Sequence, residues 1–163
     1  MVMNIGKADE ETYMLKRKAT LDDIPALIRL RKKQLTDEGM PPEPIFEIDR
    51  QLTDYFMSAL TDGTFVSWVI EVDGEVIATS GVCFYTLPPN FANPTGGVAY
   101  ITNMYTKDEY REKGIATELL KMVLDEAKSR GYSVARLHAS SFGKSVYEKA
   151  GFTVSDGYMS LRL

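Results

Sequence analysis

The chain predicts an α/β (α+β) domain, and three observations carry that expectation. Strand-like and helix-periodic runs alternate in the order β-α-α-β-β-β-α-β-α-β. Asp73-Gly74 joins two apolar strand-like runs as a hairpin signal. A glycine turn within Tyr110 to Thr117 connects an uncharged strand-like run to the most regular helical stripe.

The elements follow in order. Residues 1–11 read as a flexible leader, polar and acidic at its end, with no secretory signal pattern. Residues 12–163 read as a single domain. Thr12 to Ala19 predicts a strand, half exposed through Lys16, Arg17 and Lys18. Asp22 or Asp23 can cap a helix running to about Thr36, with Pro25 tolerated in its first turn. Gly39 to Pro44 is a break. Ile48 to Leu60 predicts a second helix, with Leu52, Tyr55, Phe56 and Leu60 on one side. Phe65 to Val72 and Glu75 to Tyr85 predict the hairpin strands.

Val98 to Thr106 is uncharged on both alternating faces, as a central strand buried on both sides should be. In the next helix Ala116, Leu119, Leu120, Val123, Leu124 and Ala127 form one stripe, and Gly131 stops it after Lys128 and Arg130. A strand from Val134, a short helix within Phe142 to Phe152 and a strand pair from Phe152 to Leu163 around Asp156-Gly157 complete the chain.

Composition bounds the function. At 163 residues, 44% apolar and 26% charged, the chain suits one ordinary globular domain. Its net charge of −4 argues against general nucleic-acid binding and suits a cationic acceptor. The single cysteine, Cys83, excludes an internal disulfide and a cysteine-rich metal site, so no metal is expected. Cys83 sits in an apolar strand and reads as a small hydrophobe. Val76 to Thr106 holds no charged residue and is long enough to span a membrane, but Pro88, Pro89, Pro94, Gly96 and Gly97 break any helix there. Two buried strands joined by a long uncharged loop fit better. No membrane association is expected, and the location is expected to be cytoplasmic.

Chemistry concentrates at Tyr110-Arg111-Glu112-Lys113-Gly114-Ile115-Ala116-Thr117. A glycine turn at a strand-to-helix junction offers backbone N–H groups to an anion, because those amides lack intrahelical partners and the helix dipole favours negative charge. A pyrophosphate ligand is therefore expected. Neither the dinucleotide Gly-x-Gly-x-x-Gly nor the nucleoside triphosphate P-loop occurs in the chain. What remains is Arg-x-x-Gly-x-Ala.

With its flanking strand and helix, that pattern resembles the coenzyme A loop of the GNAT superfamily of N-acyltransferases, Arg/Gln-x-x-Gly-x-Gly/Ala. Tyr147-Glu148-Lys149-Ala150-Gly151-Phe152 resembles a second signature of the same family, which closes a helix beside the thioester. The resemblance covers the chain from Thr12 onward. It implies a central mixed, mostly antiparallel twisted sheet of about six or seven strands flanked by about four helices.

The resemblance also implies acetyl-CoA as co-substrate and a primary amine of a small molecule as acceptor. Peptide or protein amine acetylation, and a non-catalytic acyl-CoA sensor, are the alternatives. It places the pyrophosphate on Arg111, Glu112, Lys113, Gly114, Ile115, Ala116 and Thr117. Gly114 and Ala116 are small enough for close backbone approach, and the Arg111 side chain is expected to pair with phosphate. The pantetheine arm would lie along Met104, Tyr105 and Thr106. A bulge near Asn103 would splay the strand and leave an N–H for the oxyanion. Tyr147 is the expected general acid, with Ser140 and Gly143 beside the coenzyme.

Two positions depart from the family pattern. Ser140 stands where many members have a coenzyme-contacting asparagine. Tyr100 stands where many have a glutamate base, and no acid occurs between Val76 and Thr106. Glu43 and Glu47 are substitutes for that base, although such residues more often are solvated loop charges. The one histidine, His138, reads as structural in a strand. Met40, Phe46, Tyr55, Phe56, the Leu87–Gly97 loop and Tyr158 are expected to wall the acceptor pocket. The same aromatics also suit the core or a homodimer interface.

Overall fold

The computed structural model describes residues 2–4, 13–40, 48–155 and 160–161. Its elements are β1 (Val2–Asn4), β2 (Tyr13–Lys18), α1 (Ile24–Asp37), α2 (Ile48–Asp62), β3 (Phe65–Val72), β4 (Glu75–Thr86), β5 (Gly97–Thr106), α3 (Ile115–Ser129), β6 (Ala135–Leu137) and α4 (Lys144–Lys149). They build a six-stranded sheet in the spatial order β1-β2-β3-β4-β5-β6. Every neighbouring pair is antiparallel except β5 and β6, which run parallel. The expected mixed, mostly antiparallel sheet with four helices is therefore the observed one.

Two expectations change. Val2–Asn4, within the expected leader, pairs with β2 in the register Val2↔Leu15 to Asn4↔Tyr13. No strand forms at residues 152–155 or 160–161; the rest of the expected final pair lies outside the described residues.

The sheet buries both faces, which is why β3, β4 and β5 are nearly continuous apolar runs. On one face α1 and α2 pack Ile24, Leu27, Leu30 and Phe56 against Phe65 and Val69. On the other α3 packs Leu120 and Val123 against Val66, Val82 and Ile101, with Tyr147 of α4 beside them. The α3 stripe is buried at Leu119, Leu120, Val123 and Ala127 as its 3.6-residue period demands.

One ion network joins β2 and β3 to the start of α1. Arg17 donates to both carboxylate oxygens of Asp23, at 2.7 and 2.8 Å, and to Glu71. Asp23 also accepts from the Thr20 N–H at 2.7 Å, half of a capping box. These donors, Arg17 first, hold the Asp23 carboxyl below its usual range.

Candidate active site

The sheet opens where β5 and β6 part. Their pairing runs from Ala99↔Ala135 to Ile101↔Leu137 and stops, because β6 ends at Leu137. On its other side β5 skips register against β4: Thr79 faces Tyr105, and Gly81 faces Thr102. The extra residue falls at Asn103, whose φ of 55° is left-handed. This is the expected bulge, and it bends the strand end away from its neighbour. Asn103 itself is buried, and its amide nitrogen has no hydrogen-bond partner.

The opening leads into a cleft of about 620 Å³. One wall is the end of β5, with Met104, Tyr105 and Thr106. A second is the turn into α3, with Arg111, Glu112, Gly114, Ile115, Ala116 and Thr117. A third is Ser140, Gly143 and Tyr147. Twelve predicted coenzyme residues, distant in the chain, thus share one cavity.

Gly114 is the N-cap of α3 with φ 79°, ψ 0°, and no side chain caps the helix. A Cβ at Gly114 would meet no protein atom within 4 Å. The glycine therefore answers a backbone demand for positive φ, and the space around it belongs to the cleft. The uncapped N-terminus of α3 lies beside it and suits a diphosphate. Lys113 is not part of the cleft lining; its ammonium lies 5.1 Å from the centre of the Tyr110 ring.

Arg111 sits differently from the simple expectation of a free phosphate partner. Its Nε donates to the Thr106 carbonyl at 3.0 Å. Its guanidinium meets Asp37 at 3.2 Å and Asp108 at 2.9 Å, above the Tyr105 ring. Asp37 also accepts from Lys33 and from the Tyr105 hydroxyl. Lys33 first, then Arg111 and Tyr105, hold the Asp37 carboxyl low. Burial, then the Asp37 charge, pushes the Tyr105 phenol up to about 12.

Tyr147 is 9% exposed, with its ring edge-on to Phe152 at 6.0 Å. Its hydroxyl donates to the Met104 sulfur at 3.3 Å, across the cleft from the β5 end. Burial, then the Glu38 charge, pushes this phenol up to about 12, so it remains a donor at neutral pH. Gly143 leaves room for that ring, since a Cβ there would lie 2.8 Å from Tyr147 Cε2. Ser140 accepts from the Gly143 N–H at 3.3 Å and so ties the loop ahead of α4.

None of the described residues of the expected acceptor wall lines this cleft. Phe56 is core, buried between the helices and β3. Tyr55 contacts Phe65 and shares a hydrogen bond of 3.1 Å with Cys83. Neither lines the cleft, nor do Met40 and the 87–97 loop. His138 is exposed just past the end of β6, not within the strand. Phe46, Tyr158, Glu43 and Glu47 lie outside the described residues. In their place the end of α1 contributes Gln34, Asp37 and Glu38. They belong to no sequence motif, and only the packing of α1 across β5 brings them here. Phe142, Ser145, Val146 and Lys149 also line the cleft; Lys149 lies inside the second signature and the other three just ahead of it, in the segment predicted to hold the short helix.

A sheet splayed beside an uncapped helix, with a phenol across the gap, is the architecture of a coenzyme-dependent acyltransferase. Residues 26–152 match the model of the Acetyltransferase (GNAT) family, and the chain belongs to that family of acetyltransferases. It is 42% identical to a predicted acetyltransferase from Clostridium acetobutylicum whose crystal structure contains acetyl-CoA. That match has a TM-score of 0.86 and covers 91% of this chain and 96% of the other. A GCN5-related N-acetyltransferase from Ralstonia eutropha JMP134 is 27% identical, with a TM-score of 0.85 over 92% of this chain and 98% of the other. The uncharacterized N-acetyltransferase YjgM of Escherichia coli (strain K12) is 24% identical over 139 residues, 83% of this chain and 80% of its own length.

Proposed function

We infer that the protein transfers the acetyl group of acetyl-CoA to the primary amine of a small molecule. One observation carries this reading: the uncapped start of α3, the unpaired end of β5 and the Tyr147 phenol open into the same cleft. The acetyl-CoA in the Clostridium acetobutylicum relative supports the choice of coenzyme.

Each of this chain's groups then has a task. The first N–H groups of α3, with Gly114 allowing close approach, bind the diphosphate. The end of β5 past Ile101, free of β6, offers main-chain groups to the pantetheine amides as a strand edge would. The bulge at Asn103 re-aims the backbone where the carbonyl oxygen gains charge.

Tyr147 donates a hydrogen bond to sulfur as the C–S bond breaks. Its acidity limits how far that donation goes. A phenol at about 12 facing a thiol near 8.5 makes complete proton transfer uphill by about 5 kcal/mol in the empty cleft. The phenol stabilises the developing thiolate chiefly by hydrogen bonding.

Thermal unfolding with and without acetyl-CoA tests the coenzyme half of this reading. Saturation at about a hundred times the dissociation constant adds about 2.7 kcal/mol, which raises Tm by about 5–10 °C in a domain of this size. Gly114→Asp puts a carboxylate into the diphosphate space and abolishes the shift. No shift in the wild-type protein at millimolar acetyl-CoA refutes the reading. Turnover of a panel of small primary amines, read as release of coenzyme thiol, tests the acceptor half.

A further inference from the structure

We propose that Glu38, at the end of α1, receives the acceptor as its ammonium ion and removes the proton that must leave before nitrogen can attack; this rests on the transferase reading above. Three carboxylates line the cleft: Asp37, Glu38 and Glu112. Asp37 is already matched by Lys33 and Arg111. Glu112 belongs to the turn into α3, at the diphosphate end.

Glu38 differs from both. Its Oε1 accepts from the Gln34 side-chain amide at 3.0 Å, and Gln34 in turn accepts from Arg31 at 3.1 Å. The chain Arg31–Gln34–Glu38 orients the carboxylate through a neutral amide and leaves its charge unspent. No ion pair to Glu38 occurs among the described residues.

Position agrees with that role. Glu38 closes α1 and its N–H bonds back to Gln34, so it stands at the negative end of the helix. No basic residue occupies the last turn of α1. A cation that enters the cleft there meets a helix C-terminus and a carboxylate together. Glu38 and Tyr147 line the same cleft, and the Glu38 charge helps to raise the Tyr147 phenol. β5 itself carries no acid, so the proton acceptor has to come from the three carboxylates that line the cleft.

The step balances as follows. Glu38 takes one proton from the ammonium and later loses it to solvent. The freed nitrogen lone pair forms the C–N bond at the thioester carbonyl, and the C–S electron pair leaves with sulfur. The second nitrogen proton is shed once the C–N bond exists, and it balances the proton finally carried by the coenzyme thiol. The substrate class that follows is a primary amine cationic at neutral pH.

The test compares wild type, Glu38→Gln and Glu38→Asp, with acetyl-CoA and 2-phenylethylamine as the leading probe in a panel of primary amines. Glutamine keeps the bond from Gln34 and cannot take a proton. The charged and titratable groups around Glu38 are Arg31, Lys33 and Asp37 on α1, and, lining the same cleft, Tyr105 on β5, Tyr110, Arg111 and Glu112 in the turn, and Tyr147 and Lys149 on α4. None is altered by the substitution.

For wild type, kcat/KM for the amine should be level across neutral pH, because Glu38 ionised and amine protonated is the productive pair. For Glu38→Gln it should fall at least tenfold at neutral pH and climb tenfold per pH unit toward the amine pKa, tracking free amine. Glu38→Asp should keep the level profile at a lower rate, and all three should show the same acetyl-CoA shift in Tm. A Glu38→Gln variant with wild-type kcat/KM and a level profile overturns the Glu38 assignment and leaves the transferase reading intact. A wild-type protein that shifts with acetyl-CoA but turns over no amine overturns both.

Discussion

Gly143→Ala is the most direct probe of whether the Tyr147 phenol must stand where it does. Gly143 has φ −90° and ψ −16°, a backbone that alanine adopts freely, so the effect is steric. An alanine Cβ would sit 2.8 Å from Tyr147 Cε2 and 3.3 Å from Cζ and the hydroxyl oxygen. Carbon atoms pack comfortably at about 3.5–4.0 Å, so the ring must withdraw by about 0.7–1.2 Å. It has little freedom to do so: it is 9% exposed, abuts Phe152, and donates to the Met104 sulfur. A shift of about 1 Å at a reacting group can cost about a hundredfold in rate. We expect kcat to fall about 10- to 100-fold, or about 1.4–2.7 kcal/mol of barrier. Stability changes less, since overpacking of about 1–3 kcal/mol is offset by about 0.4–1 kcal/mol from restricting the unfolded chain. Steady-state kinetics beside the acetyl-CoA shift in Tm separates the two. A Gly143→Ala enzyme with wild-type kcat refutes the reasoning. So does a Tyr147→Phe enzyme with wild-type kcat, because the displaced hydroxyl would then have no task.

Three further outcomes follow from the fold. Gly81→Ala brings a Cβ to 2.3 Å from the buried Phe65 ring beside the bulge, so denaturant unfolding should show a loss of about 1–3 kcal/mol. Asp23→Asn removes the paired carboxylate of the Arg17 network and should cost about 1–3 kcal/mol. Because the folded Asp23 carboxyl lies below its unfolded value, its contribution is present above about pH 4 and lost as pH falls through the folded pKa; the variant should show a shallower acid limb in Tm against pH. Tyr105 and Tyr147 are both raised to about 12. Their contribution is present below about pH 10 and disappears as pH rises toward 12, so their tyrosinate absorbance should appear together with unfolding, not before it.

The sequence by itself determined the element order from β2 to α4, the central uncharged strand and the glycine turn before α3. These are local signals. A 3.6-residue stripe names a helix face, an apolar run names a doubly buried strand, and a glycine that must hold positive φ marks the turn before α3. The second signature was local as well, and it placed Tyr147 correctly on a short helix. The bulge at Asn103 was expected from the family resemblance, and the register slip between β4 and β5 falls there.

Only the tertiary structure decided who faces the cleft from outside those motifs. Asp37 and Glu38 belong to no motif in the chain. They line the cleft because α1 crosses β5 and its end falls beside the splayed strand. Phe56 moved the other way, from expected pocket wall to core, because helix periodicity gives a face but not what that face meets. Arg111 shows the same limit. Its place in the motif was readable, but its contact with Asp37 joins residues 74 positions apart. Such pairings are set by how the layers stack, and no local pattern encodes them.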